Sequence, residues 1–428
     1  MTSPLRLGIA GLGTVGVGVV RILRQQAKLL EARAGRPIEI VAISARTRDK
    51  DRGVNLSPYD WEDDPVALAR RDDVDVLVEL MGGSDGPAKA ATEAALAAGK
   101  HVVTANKAML AHHGQALADR AEANGCALRF EGAVAGGIPV VKTLMEGLAG
   151  NGMTRVMGVM NGTCNYILTR MQDAGLTYEE AFAEADALGF LEADPELDVG
   201  GIDAGHKLAI LAALAFGTRC DFDAVELEGI GAITIEDIRQ AADMGYRIKL
   251  LGVAQMTGRG LEQRMSPCLV PAASPLGQLE GGTNMVVLEG DAVEQIVLRG
   301  PGAGEGPTAS AVMGDVMDIA RGLRLPVFGQ PAGTLAAARP ANSTVPAAYY
   351  LRLQLIDKPG ALAKITAILG DAGVSIDRMR QYGHQDTSAP VLIVTHKTTR
   401  ADLNTALAAV RETDVVLADP VAIRIEEV

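Results

Sequence analysis

The chain has 428 residues, is 48% hydrophobic but only 3% aromatic, and carries a formal net charge of −13. That length predicts roughly two or three domains rather than one, with cores built from Ala, Val, Leu and Ile. The negative charge argues against nucleic acid or an anionic membrane as partner, and Cys126, Cys164, Cys220 and Cys268 are too dispersed for a zinc site or disulfide frame, which suits reduced thiols in a cytoplasmic protein.

In chain order, residues 5–10 form a short apolar strand that runs into Gly11-Leu12-Gly13-Thr14-Val15-Gly16 and then a helical stretch to about residue 30. Arg6 and the apolar residues after it resemble a signal peptide. The glycine spacing explains them better, and no apolar run is long enough to span a bilayer. In the order strand, G-x-G-x-x-G, helix, Gly11 makes the tight turn, Gly13 admits a pyrophosphate and Gly16 lets helix and strand approach. The phosphates then sit at the positive helix end. The second strand, residues 38–43, ends in Ser44-Ala45-Arg46-Thr47-Arg48 with no acid to hold ribose hydroxyls. Arg46 suits a 2′-phosphate, which favours NADP and leaves NAD open. Residues 75–80 and 101–104 read as further strands, separated by an Ala-rich helix over 87–98 capped by Gly99. Lys107 follows the second of these, at a strand tip where ligands bind, although a surface lysine would look the same. His112-His113 reads as exposed helix surface. A strand over 128–130 leads into the glycine-rich loop 131–139, where Glu131 and free carbonyls could hold a hard cation, although such loops more often simply turn.

Residues 143–298 lose the strand–helix rhythm. Strands are expected over 156–160 and 285–298, and helices over 178–188 and 204–216, which makes an α+β substrate domain. Asn161-Gly162-Thr163 is a turn before a helix, with the Thr163 hydroxyl free to cap or to touch a ligand. The stretch 191–216 stands out. Glu192, Asp194, Glu196 and Asp198 precede two glycines, and Asp203, His206 and Lys207 open a helix. Asp203 and Lys207 share a face at i, i+4, which on an ordinary helix is a solvated ion pair. From 208 to 216, however, every residue is Leu, Ala, Ile or Phe, so the helix is expected to be buried all round. Ionisable groups at its mouth are then costly to desolvate and suited to proton chemistry. A helix over 315–321 returns to the nucleotide domain. After a linker at 340–346, strands at 349–356, from 374, at 390–395 and at 422–426 alternate with helices at 361–369 and 399–411 in the order βαββαβ.

The segments GLGTVG (11–16), VELMGG (78–83), HVVTANKAML (101–110), EGAVAGGIPV (131–140), MNGTCNYIL (160–168), GFLEADPELDVGGIDAGHKLAIL (189–211) and GPGAGEGPTASAVMGD (300–315) together resemble the homoserine dehydrogenase family, in its long form with a carboxy-terminal ACT domain. The resemblance implies a Rossmann-type doubly wound domain (1–142, with a return helix in 311–335), an inserted α+β substrate and dimerisation domain (143–310) and an ACT domain (347–428). It implies NAD(P)-linked interconversion of L-homoserine and L-aspartate 4-semialdehyde in threonine, methionine and isoleucine biosynthesis. Lys207 would be the acid/base, supported by Asp203 and Lys107, with Glu192 and Asp198 holding the substrate. Gly189 would lie beside the substrate and, like Gly304, line the cofactor side. The nucleotide would contact Gly11, Gly13, Thr14, Val15, Gly16, Arg46 and Lys107. A sodium ion would bind Glu131 and the carbonyls of Val134, Gly136 and Ile138. A homodimer or homotetramer is expected, with threonine as effector or, alternatively, an ACT module that only dimerises. Two other classes compete. A thiol-dependent semialdehyde enzyme lacks a base beside Cys126 or Cys164, and a non-catalytic sensor would not need Lys107, Glu192, Asp203 and Lys207 together.

Overall fold

Val-, Ile- and Leu-rich strands buried on both faces build a parallel sheet in the first third of the chain. The computed structural model describes residues 3–191, 194–342, 344–381 and 388–428. It begins with β1 (Leu5–Ala10), α1 (Thr14–Ala34), β2 (Ile38–Ser44), β3 (Asp60–Trp61), α2 (Pro65–Arg70), β4 (Val76–Glu79), α3 (Pro87–Ala97), β5 (His101–Thr104), α4 (Lys107–Ala123) and β6 (Leu128–Arg129). These strands pair in the order β3-β2-β1-β4-β5-β6, all parallel. The order reverses between β1 and β4, so the crevice for a ligand opens at their carboxyl ends. The two-residue edge strand β3 was not legible, because Asp60-Trp61 has no alternating pattern. The glycine turn is obligatory. Gly11 sits at φ 102, where a Cβ would lie 2.4 Å from the Leu80 carbonyl oxygen, and a Cβ on Gly16 would lie 2.1 Å from that of Gly11.

The chain continues through α5 (Val140–Lys142), β7 (Met153–Val159), α6 (Gly162–Ala174), α7 (Tyr178–Ala187), α8 (Glu196–Val199), α9 (Ile202–Phe216), β8 (Glu226–Leu227), α10 (Ile235–Asp243), β9 (Tyr246–Thr257), β10 (Gly260–Pro271), β11 (Thr283–Gly290), β12 (Glu294–Pro301) and α11 (Glu305–Ala320). Two expectations change here, and one hairpin is new. Residues 285–298 are not one strand but the β11–β12 hairpin, with Glu294 at φ 59 just past its turn. The β9–β10 hairpin was missed because Ile248–Ala254 is buried without a break, which erases the two-residue period. The helix expected over 315–321 starts at Glu305, behind Gly304 at φ 126, and Gly322 at φ 79 follows its end. Residues beyond it therefore do not extend the return helix to 335.

The last elements are β13 (Ala348–Ile356), α12 (Ala361–Asp371), β14 (Ile376–Gln381), β15 (Ser388–Thr395), α13 (Arg400–Arg411) and β16 (Val421–Ile425), which give the expected βαββαβ order. β13 pairs antiparallel with β15 and β16, and β14 antiparallel with β15. Leu351, Leu353, Ile365, Ile393, Leu403 and Leu407 fill the space between this sheet and its two helices.

The chain divides into two compact units. The first comprises Met1–Gly162, Asp203–Val225 and Gly282–Ala338. It holds the parallel sheet and a separate antiparallel set in which β11 lies between β7 and β12. Leu7, Ile9, Val78 and Val103 pack with Val312 and Val316 of α11 in its core. The second comprises Thr163–Ile202, Glu226–Gly281 and Arg339–Val428. There β10 is shared between its hairpin partner β9, the short parallel β8 and the parallel β16. Among the described residues no helix is long and apolar enough to cross a membrane.

Candidate active site

The crevice in the first unit contains two adjoining hollows. The outer, about 580 Å³, is lined by Gly11, Leu12, Gly13, Ser44 and Arg46. Gly13 is the N-cap of α1 and has no side chain to satisfy the first helical N–H groups. Nothing lies within 4 Å of where its Cβ would stand. This is the geometry of an anion site at a helix N-terminus. Arg46 is exposed at the tip of β2. Arg52 ties its loop to the glycine turn, donating from Nε to the Leu12 carbonyl at 3.1 Å and, within the loop, from Nη1 to that of Lys50 at 2.8 Å. Asp63, an acid the motif reading did not find, also lines this hollow and accepts from Trp61 Nε1 at 2.8 Å.

The inner hollow, about 340 Å³, brings together Thr14, Val15, Lys107, Gly136, Lys207 and Gly304. Leu80, Met81 and Gly82 at the tip of β4 border both hollows. At its floor, Lys207 Nζ donates to Asp203 Oδ2 at 2.7 Å and to the Met160 carbonyl at 2.8 Å. Lys107 Nζ stands 2.8 Å from the other carboxylate oxygen of Asp203. Asp203 and Lys207 are only 7% and 8% exposed. Burial acts to raise the Asp203 carboxyl, but the ammonium groups of Lys207 and Lys107 overrule it and hold it far below the ordinary carboxylate range. His206 packs its ring 4.2 Å from that of Phe222 and 5.3 Å from that of His112. Burial, with His112 and the two lysines beside it, pushes it down to about 4, so it is neutral at physiological pH. His112 is exposed as expected, whereas His113 is half-buried and meets Asp85 at 2.9 Å.

Lys107 is aimed by a network the sequence did not flag. Asn106 caps α4, accepting from Met109 N at 3.0 Å and donating to the Gly83 carbonyl at 2.7 Å. Its own N–H donates to Thr104 Oγ1 at 3.0 Å, and that hydroxyl donates to buried Glu79 at 2.6 Å. Burial raises the Glu79 carboxyl despite these bonds. The Asn106-before-helix signal was available as a cap. The Met160 carbonyl left no signal, because a backbone acceptor has no sequence identity.

Comparison with known proteins places the whole chain in a family. The family pattern of homoserine dehydrogenase matches residues 139–317, that of the homoserine dehydrogenase NAD-binding domain residues 11–131, and that of the ACT domain residues 349–414. The homoserine dehydrogenase of Neisseria gonorrhoeae is 43% identical over 432 residues, and that of Pseudomonas aeruginosa 41% over 434, each alignment covering 99% of both chains. The crystal structure of a homoserine dehydrogenase from Thiobacillus denitrificans superposes with a TM-score of 0.94 at 40% identity, covering 99% of each chain. The chain belongs to the homoserine dehydrogenase family.

The loop after β6 turns sharply and buries an acid. Ala135 and Gly136 take the left-handed conformation, at φ 53 and 36. Glu131 accepts from Val141 N at 3.0 Å and Lys142 N at 2.8 Å, and its own N–H donates to Asp315 at 2.8 Å. Burial and the neighbouring Asp315 push Glu131 up to about 8, and burial pushes Asp315 up to about 6. Lys142, 3.4 Å from Asp315 and bonded to Asp318, compensates only part of this charge. A buried carboxylate short of positive charge, in a loop rich in backbone carbonyls, suits a hard cation. The Ile138 carbonyl already accepts from Val140 N at 2.7 Å. The carbonyls of Val134, Gly136 and Ile138 would be the remaining donors.

Other family positions fall in the second unit or outside the described residues. Asp198 is 4% exposed in the single turn α8, where the Cys164 thiol donates to its carbonyl at 3.2 Å. Gly189 follows α7 at φ 72 and is exposed. Glu192 lies outside the described residues. Thr163 donates its hydroxyl to the Phe190 carbonyl at 2.9 Å, which makes it a structural tie. Cys126 is raised by burial and donates to the Leu96 and Asn124 carbonyls, with no activating base beside it among the described residues, which argues against an activated nucleophile.

Proposed function

We propose that this chain oxidises L-homoserine to L-aspartate 4-semialdehyde and reduces it back with NADP(H). The observation that carries the reading is the triad in which buried Lys207 and half-buried Lys107 share the one buried carboxylate of Asp203 at the foot of the nucleotide crevice. The nucleotide, when bound, supplies or takes the hydride. The side chains move the proton. In oxidation Lys207 accepts the hydroxyl proton as the carbonyl forms, and in reduction it returns that proton to the carbonyl oxygen. Lys107 keeps Asp203 paired while Lys207 is neutral, so the buried carboxylate is never left without a partner. Asp198, with Glu192, holds the α-amino group of the substrate.

Arg46 at the β2 tip supports NADP over NAD, and Asp63 is the counterweight that would permit both. Glu131 and the loop carbonyls would hold sodium, a charge fixed near the base of the crevice, and no proton or hydride need pass through it. The ACT domain supports feedback by threonine in an amino-acid biosynthetic pathway, in a homodimer or homotetramer. Homoserine-dependent reduction of NADP and of NAD, followed by absorbance, tests the reading. Absence of both reactions in pure, folded protein refutes it.

A further inference from the structure

In the second unit an unbroken run of contacts leads from the ACT domain to the turn that carries Asp198. Arg400 opens α13 and sits 3.4 Å from Glu228, with its guanidinium 5.8 Å from the Tyr349 ring centroid. Glu228 and Arg400 face a cavity of about 20 Å³, room for about one water, which is also lined by Arg264 and Arg424. Glu228 is anchored on its other side by its N–H, which donates to the Met265 carbonyl of β10 at 2.8 Å. Two residues on, Ile230 N donates to the Val199 carbonyl at 3.0 Å. Gly229 between them lies so close that a Cβ there would stand 2.5 Å from the same Val199 oxygen and 2.9 Å from Gly200 Cα. Gly201, at φ 82, packs in turn against Met265, with a would-be Cβ 3.1 Å from its side chain. The α8 turn is therefore clamped between residues 228–230 and β10.

We propose that residues 228–230 form a strap through which α13 of the ACT domain positions the Asp198 turn, so that the state of the ACT domain sets the affinity for homoserine and not that for the nucleotide. The strap has no slack. Glu228 links it to the ACT domain through the half-buried pair with Arg400, and its link to the turn is made of backbone with no room for a methyl group at Gly229. A shift of α13 that draws Arg400 away frees Glu228, whose carboxyl is already raised by burial and lowered in turn by Arg400. The Val199–Ile230 bond then loses its fixed register. Arg400 and Glu228 are positioning residues in this scheme, and the scheme rests on the substrate role proposed for Asp198.

The test uses the full chain with Arg400→Ala, Glu228→Gln, the double variant and the charge-conserving Arg400→Lys. Each is measured for kcat, KM for homoserine, KM for NADP and Tm, with and without L-threonine as the probe. Each single loss should raise the homoserine KM about fivefold, in the range of modest coupling energies, with the NADP KM unmoved. The double variant should add nothing to the singles, Arg400→Lys should recover most of the loss, and any effect of threonine on the homoserine KM should vanish in the singles. A purely structural pair would lower Tm and kcat without separating the two KM values, and that result overturns the proposal. Asp198→Asn, run alongside, separates the two ideas. If it leaves the homoserine KM unchanged, the substrate role itself fails. If it moves that KM while neither strap variant does, the coupling alone fails.

Discussion

Lys207 and Asp203 differ from a surface i, i+4 pair in what a proton transfer would leave behind. On a surface, water compensates either charge state. At 8% exposure it cannot, and a carboxylate stripped of its only ammonium would be strongly destabilising. The second ammonium, on Lys107, removes that penalty, which is why the triad suits a proton carrier better than either pair alone. Lys207→Ala should lower kcat by about 10²- to 10⁴-fold, the usual worth of a positioned acid/base. The dissociation constant for NADPH, followed by fluorescence titration, should stay within a few-fold, and an unimpaired kcat removes Lys207 from the mechanism. His206 gives a separate signature. Its folded value of about 4 lies below the ordinary value of 6.5, so the unfolded chain binds more protons between those limits and stability rises with pH there. Melting temperatures between pH 5 and pH 7 should climb in the parent and climb less in His206→Gln. The difference should be on the order of 1 kcal/mol.

The three glycines of the first turn do different work, and substitution should separate them. Gly16 and Gly11 face backbone oxygens at distances no Cβ can occupy, whereas Gly13 faces open space at the helix end. Gly16→Ala should therefore lower Tm, while Gly13→Ala should leave Tm nearly unchanged and raise the NADP dissociation constant at least tenfold, a loss of about 1.4 kcal/mol. Calorimetry and nucleotide titration on both variants decide it. The loop after β6 allows a parallel test. Sodium should raise Tm relative to a bulky organic cation at equal ionic strength, and Glu131→Gln should abolish that difference. A sodium response that survives the substitution moves the ion elsewhere. Elements of this kind were legible in the chain because each carries a local reason: β1 and its glycines, β5, α9, and β13 with its alternation. The β9–β10 hairpin was not, because its pairing is decided by partners on both faces. The Glu79–Thr104–Asn106 network and the Met160 carbonyl were not, because their roles come from positions brought together by the sheet and the buried helix.

Across the second unit, the ACT domain is joined to β10 by charge as well as by strand pairing. β16 runs parallel to β10, matching Cys268 with Arg424 and Leu269 with Ile425. Glu262 and Arg264 of β10 meet Arg424 of β16 and the adjacent Glu426 in a cluster in which every member is no more than 7% exposed. Arg424 donates to Glu262 at 2.8 Å and stands 3.1 Å from Glu426, while Arg264 reaches both acids and donates to the Cys268 thiol at 3.2 Å. The four charges cancel, so the quartet is stable as a set and costly in part. Removing residues 347–428 would leave Glu262 and Arg264 at an opened edge of β10, so a truncated chain confounds loss of regulation with loss of folding. Point changes avoid this. Arg424→Met leaves two buried acids facing one cation and should cost about 3–5 kcal/mol. Replacing all four together with apolar residues of similar volume should cost far less, or nothing. If chemical denaturation finds the single change as mild as the quadruple one, the quartet is not a coupled network, and the ACT domain is held to β10 by its strand pairing alone.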